Sequence, residues 1–246
     1  MRAASDALNL PIWIVEKDYY VTRASRTLRD NIGDQFLFKG GTSLSKGWNL
    51  IERFSEDIDL LFRREHGGTN LSKNELDRRF KKAEDLIRET QGFVYASHAS
   101  GKGVRRESLF TYPASHAPIG PVSDKLKLEM GCRGGIQPNQ SRKIRAFIGD
   151  FAASRNQSDL ADDLASFDIL CLDVTRTFLE KLFAAHAAFM KNRAAGRTRH
   201  YYDLYQLAGL PEAVSVRSTG PPLRSCRKPA SASLPRLPPT RRLSPN

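Results

Sequence analysis

Apolar side chains recur along this chain with two different periods, and each period predicts a different kind of secondary structure. In segment 12–31 they return every three or four residues, as at Ile12, Val15 and Tyr19, which is typical of an amphipathic helix. From 124 to 130 they alternate with charged side chains, which predicts a strand with one buried face. The two patterns together predict helices over residues 12–31, 42–49, 72–90, 159–166, 173–193 and 200–208, and strands over 35–38, 57–62, 93–96, 108–112 and 124–130.

The order of these elements predicts an α+β fold, in which a mixed sheet with flanking helices comes first and further helices follow. We place the sheet in a domain over residues 1–158 and expect residues 159–210 to form a helical part that completes it. The composition and the periodicity change after residue 210. Residues 211–246 hold eight of the thirteen prolines and show no helical or strand period. Such a segment buries too little apolar surface to offset its ordering entropy, so we expect a disordered tail.

Two interpretations of the tail stay open. One is that a frameshift or truncation has replaced the original end of the protein with an unrelated sequence, which would explain the abrupt change in composition. The other is a genuine basic arm for an acidic partner, because residues 211–246 carry seven basic residues and one acid.

Composition narrows the class of protein. A hydrophobic content of 40% with 27% charged residues is ordinary for a soluble globular chain. The formal net charge of +12 suits a polyanionic partner such as RNA, although solubility alone would also explain it. The three cysteines are far apart and predict neither a disulfide framework nor a zinc site, which fits a reducing cytoplasm. No run of 18 apolar residues and no apolar leader occur, so we expect neither a membrane span nor a secretory signal.

A glycine pair stands where the strand at 35–38 gives way to a helix. Because Gly40 and Gly41 lack a Cβ, backbone N–H groups there can approach a phosphate closely, and the helix N-terminus favours the negative charge. Neighbouring hydroxyls and ammonium groups would add hydrogen bonds and charge. The residues expected to bind the nucleotide are therefore Lys39, Gly40, Gly41, Thr42, Ser43 and Lys46. The competing interpretation is an ordinary surface turn capped by Thr42.

Two carboxylates follow on the next predicted strand. Asp57 and Asp59 are two residues apart, so both project from one face of the strand while Ile58 and Leu60 point into the core. Carboxylates held this close repel each other unless a cation lies between them, and Mg²⁺ is typically bound by one or two carboxylates together with substrate phosphates. The sequence thus predicts a site for Mg²⁺, or for Mn²⁺ in its place, with Asp57 and Asp59 as ligands. A solvated polar strand face is the alternative.

At this point the chain resembles a known family, the AbiEii/AbiGii-type nucleotidyltransferase toxins, which have the DNA-polymerase-beta-like nucleotidyltransferase fold. The resemblance rests on Glu-Lys-Asp-Tyr at 16–19, Lys-Gly-Gly-Thr-Ser-Leu-Ser-Lys at 39–46, Arg-Phe-Ser-Glu-Asp-Ile-Asp at 53–59, Arg-Thr-Phe-Leu-Glu-Lys at 176–181 and Arg-His-Tyr-Tyr-Asp-Leu-Tyr at 199–205. Blocks in this order over about 200 residues are far more specific than any one of them alone.

The resemblance implies roles for the matching residues. It assigns the phosphates of a nucleoside triphosphate to the glycine block, with Ser55 at the same edge, and the metal to Asp57 and Asp59. It makes Lys181 a contact to phosphate or to the transferred charge, and Asp203 a further catalytic residue. Without the resemblance, the simplest interpretation of Lys181 is a lysine whose stem covers apolar neighbours on its helix. The simplest interpretation of Asp203 is an exposed helix acid paired with Arg199.

A third carboxylate often completes sites of this fold. Glu129 is the candidate, because alternation places it on the polar face of a neighbouring strand. An ion pair between Glu129 and a lysine across the sheet is an equally good explanation.

The resemblance also implies a function. We expect a cytoplasmic, Mg²⁺-dependent nucleotidyltransferase toxin of a toxin–antitoxin or phage-defence system that transfers a nucleotide from an NTP to an RNA acceptor, with tRNA as the expected RNA. Its partner would be a cognate antitoxin, expected to be a transcriptional regulator. The alternatives are nucleotidylation of a protein or small molecule, and a degenerate binder of nucleotide or antitoxin that does not turn over.

Overall fold

A mixed β-sheet forms the centre of the computed structural model, which describes residues 1–119, 123–157, 161–191 and 198–211. Within these residues seven strands pair in the order β5-β6-β7-β2-β1-β9-β8. The strands are β1 (Phe36–Lys39), β2 (Asp57–Phe62), β5 (Val94–Gly101), β6 (Arg105–Thr111), β7 (Leu126–Gly131), β8 (Asn139–Ile144) and β9 (Phe167–Leu172), and two short ones, β3 (Glu65–His66) and β4 (Thr69–Asn70), pair separately.

Helices flank this sheet. They are α1 (Arg2–Leu8), α2 (Ile12–Ile32), α3 (Gly40–Thr42), α4 (Lys73–Glu89), α5 (Phe147–Ser154), α6 (Val174–Met190) and α7 (Thr198–Ala208). The three-residue α3 continues directly as a π-helical turn, Ser43–Gly47. None of the helices in the described ranges is long and apolar enough to cross a membrane.

The alternating side chains of the central strands separate the sheet into two different faces. Phe38, Ile58 and Leu128 point to one face, where they join the main hydrophobic core beneath α2 and α4. The odd-numbered positions of β1, β2 and β7 point to the opposite face, because successive residues of a strand alternate sides. That second face carries the charged side chains, and α6 and α7 lie at its edge.

The strand register brings charged residues of three strands side by side. β1 runs antiparallel to β2 and pairs Lys39 with Asp59, while β2 runs parallel to β7 and pairs Asp57 with Lys127 and Asp59 with Glu129. On the other side β1 pairs in parallel with β9 through Phe38 and Cys171. A row of Lys39, Asp59 and Glu129 therefore crosses the middle of the sheet.

The predicted α+β class, the mixed sheet and the flanking helices are confirmed, and several elements were missed. The sequence predicted no strand over β8 or β9 and no helix over α1 or α5. The helix predicted over 159–166 is wrong for 161–166, where only a 3₁₀ turn at Asp162–Leu164 occurs. The division at residue 158 stays a prediction, although β9 lies beyond it and belongs to the same sheet. The predicted disordered tail falls, from residue 212 on, outside the described residues.

Candidate active site

A cleft of about 410 Å³ opens on the charged face of the sheet, between the central strands and helices α6 and α7. We call it the central cleft. Its lining residues are Lys39, Gly40, Gly41, Arg53, Ser55, Asp57, Asp59, Glu129, Leu172, Thr177, Glu180, Lys181, Ala184, Arg199, His200 and Asp203. Residues of β1, β2 and β7 thus meet residues of α6 and α7 in one cavity.

Three carboxylates lie on the floor of the central cleft. Burial, together with the nearby Glu129 and Asp57 carboxylates, raises the pKa of Asp59 to about 7, although the ammonium groups of Lys39 and Lys181 act in the opposite direction. The pKa of Asp57 is raised as well, first by burial, with Glu56 and Glu129 acting in the same direction. Negative charge is therefore crowded here, and a bound cation would relieve it.

The donor set fits a hard divalent cation. Carboxylate oxygens are the ligands that Mg²⁺ and Mn²⁺ favour, and Asp57 and Asp59 present theirs to the same cavity. Among the described residues, no three His, Cys, Asp or Glu side chains are arranged as a complete metal site. A site that shares its metal with substrate phosphates does not need a third protein ligand.

Glu129 lines the central cleft beside Asp59, and within the described residues it forms an ion pair with Lys127 of its own strand and not with a lysine across the sheet. The Lys127 ammonium group also lies 3.6 Å from Glu107 of the neighbouring strand. The role of Glu129 as a metal ligand stays a prediction.

The glycine pair makes room for the carboxylates. Gly40 has φ +75°, and a Cβ added to it would lie 1.9 Å from Oδ2 of Asp59. A Cβ on Gly41 would lie 2.6 Å from the Ser55 hydroxyl and 2.8 Å from the Arg53 guanidinium. Both glycines are thus required by side chains of the site itself, a reason that differs from the close approach to phosphate inferred from the sequence.

Thr42 and Ser43 lie beneath the cleft. Both are buried, and neither lines the cavity. The Thr42 hydroxyl donates to the Asp57 carbonyl at 2.5 Å and lies 3.0 Å from the Ser55 hydroxyl. In this arrangement Thr42 joins the glycine turn to the start of β2, so its contacts are structural.

Lys46 points away from the central cleft. Its ammonium group forms a buried ion pair with Asp18 at 2.5 Å and donates to the Arg145 carbonyl at 2.9 Å. It lines a second cavity of about 650 Å³, which lies beside α5 and shares Arg53 and Ser55 with the central cleft. Lys46 does not line the central cleft, because its ammonium group is held by Asp18 and the Arg145 carbonyl, and the nucleotide contact predicted for it stays a prediction.

Lys181 and Asp203 meet although they are far apart in the sequence. Their ammonium and carboxylate groups are 2.8 Å apart, and Lys181 is only 9% exposed. Asp203 is fully buried and receives two further hydrogen bonds, both 2.7 Å, from the Arg53 guanidinium. Burial alone would raise the pKa of Asp203, but the hydrogen bonds from Arg53 and Lys181 outweigh it and hold the pKa below its usual value.

These contacts bear on the structural alternatives left open by the sequence, while the catalytic roles of Lys181 and Asp203 stay predictions. Lys181 reaches a buried carboxylate in the cleft, so it does more than cover apolar surface. Asp203 pairs with Arg53 and Lys181, whereas Arg199 lies 3.7 Å from Glu56.

Arg53 was missed as a site residue. It lies within the 53–59 block, and its charge two residues before Ser55 was the available indication. Glu180, 3.8 Å from the Lys39 ammonium, and the cleft residues Arg199 and His200 were missed too. Helical spacing could have found Arg199, since it lies four residues before Asp203 on the same helix.

Comparison with known proteins adds the following. The profile of one protein family, described as "Nucleotidyl transferase AbiEii toxin, Type IV TA system", matches residues 25–218. Among solved structures the chain is similar to MenT4, a nucleotidyltransferase toxin from Mycobacterium tuberculosis H37Rv, with 20% sequence identity and a TM-score of 0.45. That match covers 70% of this chain and 51% of MenT4, so this chain spans about half the length of that protein. No functionally curated protein matches.

Proposed function

The chain belongs to the AbiEii family of nucleotidyltransferase toxins of type IV toxin–antitoxin systems, and from this premise we propose that it transfers a nucleotide from an NTP to an RNA acceptor in a Mg²⁺-dependent reaction. The observation that carries the proposal is the convergence of Asp57, Asp59, Lys181 and Asp203 on one cleft from three separate segments of the chain. Family membership agrees with the resemblance of the sequence blocks.

The positive groups of the central cleft suit a triphosphate. Lys39, Lys181 and Arg199 line it, and the glycine turn leaves its backbone accessible beside them. Phosphoryl-type transfer depends on in-line positioning and on neutralising charge on the phosphate oxygens, which these groups would supply.

The carboxylates supply the opposite half of the site. Asp57 and Asp59 would hold Mg²⁺, or Mn²⁺ in its place, with Glu129 beside them. When bound, the metal would supply activation of the acceptor hydroxyl and stabilisation of the pyrophosphate charge. In the transfer itself, the acceptor oxygen forms a bond to the α-phosphorus, the bond from that phosphorus to the pyrophosphate oxygen breaks, and the hydroxyl proton passes to water.

Lys181 is suited to follow the moving charge. A lysine ammonium is a compact charge on a flexible stem, and here Asp203 and Arg53 hold it at the cleft wall. Phosphate oxygens of the substrate would compete with Asp203 for this ammonium group. Asp203 thus orients Lys181, and Arg53 keeps Asp203 in place.

The acceptor and the partner are further parts of the proposal. Residues 1–210 account for half of the net charge of +12, which suits an RNA acceptor, and we take that acceptor to be tRNA. The family's toxin–antitoxin context supports a cognate antitoxin as partner. We propose that this antitoxin is a transcriptional regulator and that the system acts in phage defence. We place this activity in the cytoplasm.

The test is incubation of the protein with purified tRNA, labelled NTPs and Mg²⁺. Label is expected in the tRNA with wild type and with Asp168→Ala, which removes an exposed aspartate of β9 outside the cleft, and not with Asp59→Ala. Label in a protein band or in a small molecule would show that the acceptor is that protein or small molecule and not RNA. No transfer by wild type, together with nucleotide-induced stabilisation, would favour a binder without turnover.

A further inference from the structure

Three consecutive charged residues of α2, Glu16, Lys17 and Asp18, are buried. Charged side chains are seldom buried unless each one is paired. Successive residues of a helix point about 100° apart, so these three face different neighbours. Each of them ties α2 to a different segment of the chain.

Glu16 and Asp18 hold segments on the two sides of α2. Glu16 accepts hydrogen bonds from the backbone N–H groups of Ser115 and His116, at 2.8 and 3.0 Å. Asp18 accepts from the N–H of Phe147 at 2.7 Å and pairs with Lys46. These contacts fix the segment after β6 and the start of α5.

Lys17 holds the segment that leads into the candidate active site. Its side chain is 1% exposed, and its ammonium group lies 2.5 Å from the Glu56 carboxylate. The same ammonium group donates to the carbonyl oxygens of Ser123 and Lys125, the latter at 3.0 Å. An ammonium group has three protons, so these three acceptors satisfy it completely.

The partners of Lys17 precede both strands that carry the carboxylates. Glu56 is the residue before Asp57 at the start of β2, and residues 123–125 lead into β7, which carries Glu129. β2 and β7 are parallel neighbours, so Lys17 clamps the same end of both. Glu56 strengthens this clamp by accepting a hydrogen bond from the Ser123 N–H at 3.0 Å.

The clamp extends to the wall of the central cleft. The other oxygen of Glu56 lies 3.7 Å from the guanidinium of Arg199. Arg199 lines the cleft and stands on α7 one turn before Asp203. A single buried ammonium group is thus linked to β2, to β7 and to the helix that orients Lys181.

We propose that Lys17 is a positioning residue for the reaction: through Glu56 and the 123–125 backbone it sets the spacing of Asp57 and Glu129 and the placement of α7. The proposal rests on the proposed function, because it gives the spacing of these carboxylates a role in holding metal and substrate. Lys17 itself lies outside the cleft and touches no reacting group.

A matched control distinguishes positioning from general stability. Arg106 is a second buried cation, and it pairs with the buried Glu84 at 2.9 Å on the face of the sheet that carries α4. Lys17→Met and Arg106→Met each remove a buried cation and leave a buried carboxylate without it. Both variants are expected to lose stability for this reason, but Arg106 contacts none of the cleft residues through its ion pair.

The experiment measures binding of Mn²⁺ alone by calorimetry, nucleotide transfer, and amide hydrogen exchange in the full chain. With Lys17→Met we expect a fall of about tenfold or more in Mn²⁺ affinity and in transfer rate, the effect typical of residues that orient metal ligands. Exchange should quicken at residues 55–58 and 123–125 together. With Arg106→Met the Mn²⁺ affinity should stay within about twofold of wild type, since its ligands keep their support.

Two results would overturn the inference. One is a folded Lys17→Met protein whose Mn²⁺ affinity and exchange at 55–58 and 123–125 equal those of wild type. The other is an equal loss of Mn²⁺ affinity in Arg106→Met. If Lys17→Met fails to fold, Glu56→Gln takes its place, because it keeps the shape of the side chain and weakens the same link. If wild type binds no Mn²⁺, the proposed metal dependence fails, while the exchange comparison still decides whether Lys17 holds the two strand ends.

Discussion

At the scale of single residues, the glycine turn shows why residue types alone gave only part of the site. The sequence predicted that Gly40 is needed for close approach to a phosphate. In the structure, its positive φ and the nearby Asp59 carboxylate already require glycine before any substrate binds. The same residue can serve both purposes, since the backbone next to Asp59 also faces the cleft.

Gly40→Ala is expected to lower nucleotide transfer by on the order of 100-fold, because displacing Asp59 by even 1 Å misplaces what it binds. The matched control is Gly67→Ala, which has a similar φ of +57° but nothing within 4 Å of an added Cβ. Both variants should lose about 1–2 kcal/mol of stability from the left-handed backbone. Transfer kinetics and urea denaturation of the two proteins check this, and equal activities would contradict the steric explanation.

Reasoning from single residues predicted where Asp57 and Asp59 lie better than where Lys46 lies, while the roles of all three stay predictions. Asp57 and Asp59 needed only strand alternation to be placed on one face. Lys46, in contrast, looked like a phosphate contact by its distance in sequence from Gly41, yet it pairs with Asp18 of α2. A buried partner on another element is not visible in a local sequence window.

At the scale of elements, two helices have similar N-terminal caps, and one of these helices belongs to the cleft. The Ser72 hydroxyl accepts from the Glu75 N–H at 3.2 Å and caps α4. The Asp173 carboxylate accepts from the Thr175 N–H at 2.9 Å and caps α6, the helix that carries Lys181. The two caps are alike, but only the second supports a helix of the cleft.

Ser72→Ala and Asp173→Ala should each lower the free energy of unfolding by about 1 kcal/mol, the usual contribution of an N-cap. Only Asp173→Ala is expected to slow nucleotide transfer, since fraying at the start of α6 shifts Lys181 relative to Asp203. Urea denaturation gives the stability and single-turnover transfer gives the rate. A slower reaction in Ser72→Ala of the same size would show that the rate follows overall stability instead.

Three of the missed elements were missed for different physical reasons. β8 has the sequence Asn-Gln-Ser-Arg-Lys-Ile, with hardly any apolar residue, because it lies at the edge of the sheet and buries little. β9 pairs with β1, which is more than a hundred residues away, so its neighbours were absent from any local window. α5 is short and apolar on most sides, which gives no clear helical period.

At the scale of the whole molecule, the central cleft joins the first third of the chain to its last described helix. Lys39, Asp57 and Asp59 come from β1 and β2, whereas Lys181 and Asp203 come from α6 and α7. A ligand that contacts both groups would therefore stabilise the folded protein as a unit.

Mg²⁺ with NTP at 100 times its Kd should stabilise the wild-type protein by about 2.7 kcal/mol. For a domain of this size that corresponds to a rise in Tm of roughly 5–10 °C. EDTA should reverse the rise. Asp59→Asn should show no such rise, although without ligand it should be at least as stable as wild type, since it loses the repulsion by Asp57 and Glu129. Thermal melts with each addition check this, and an equal rise in the Tm of the variant would show that Asp59 does not take part in binding.

The sequence by itself determined the elements that carry their own period and the short blocks whose spacing has chemical meaning. Alternation placed Asp57 and Asp59 together, and the ordered blocks named the family. The tertiary structure alone decided which charges are paired: Asp203 with Arg53 and Lys181, Lys46 with Asp18, and Lys17 with Glu56. The reason is that a period describes how one element buries its own face, whereas a buried ion pair depends on which distant segment folds against it.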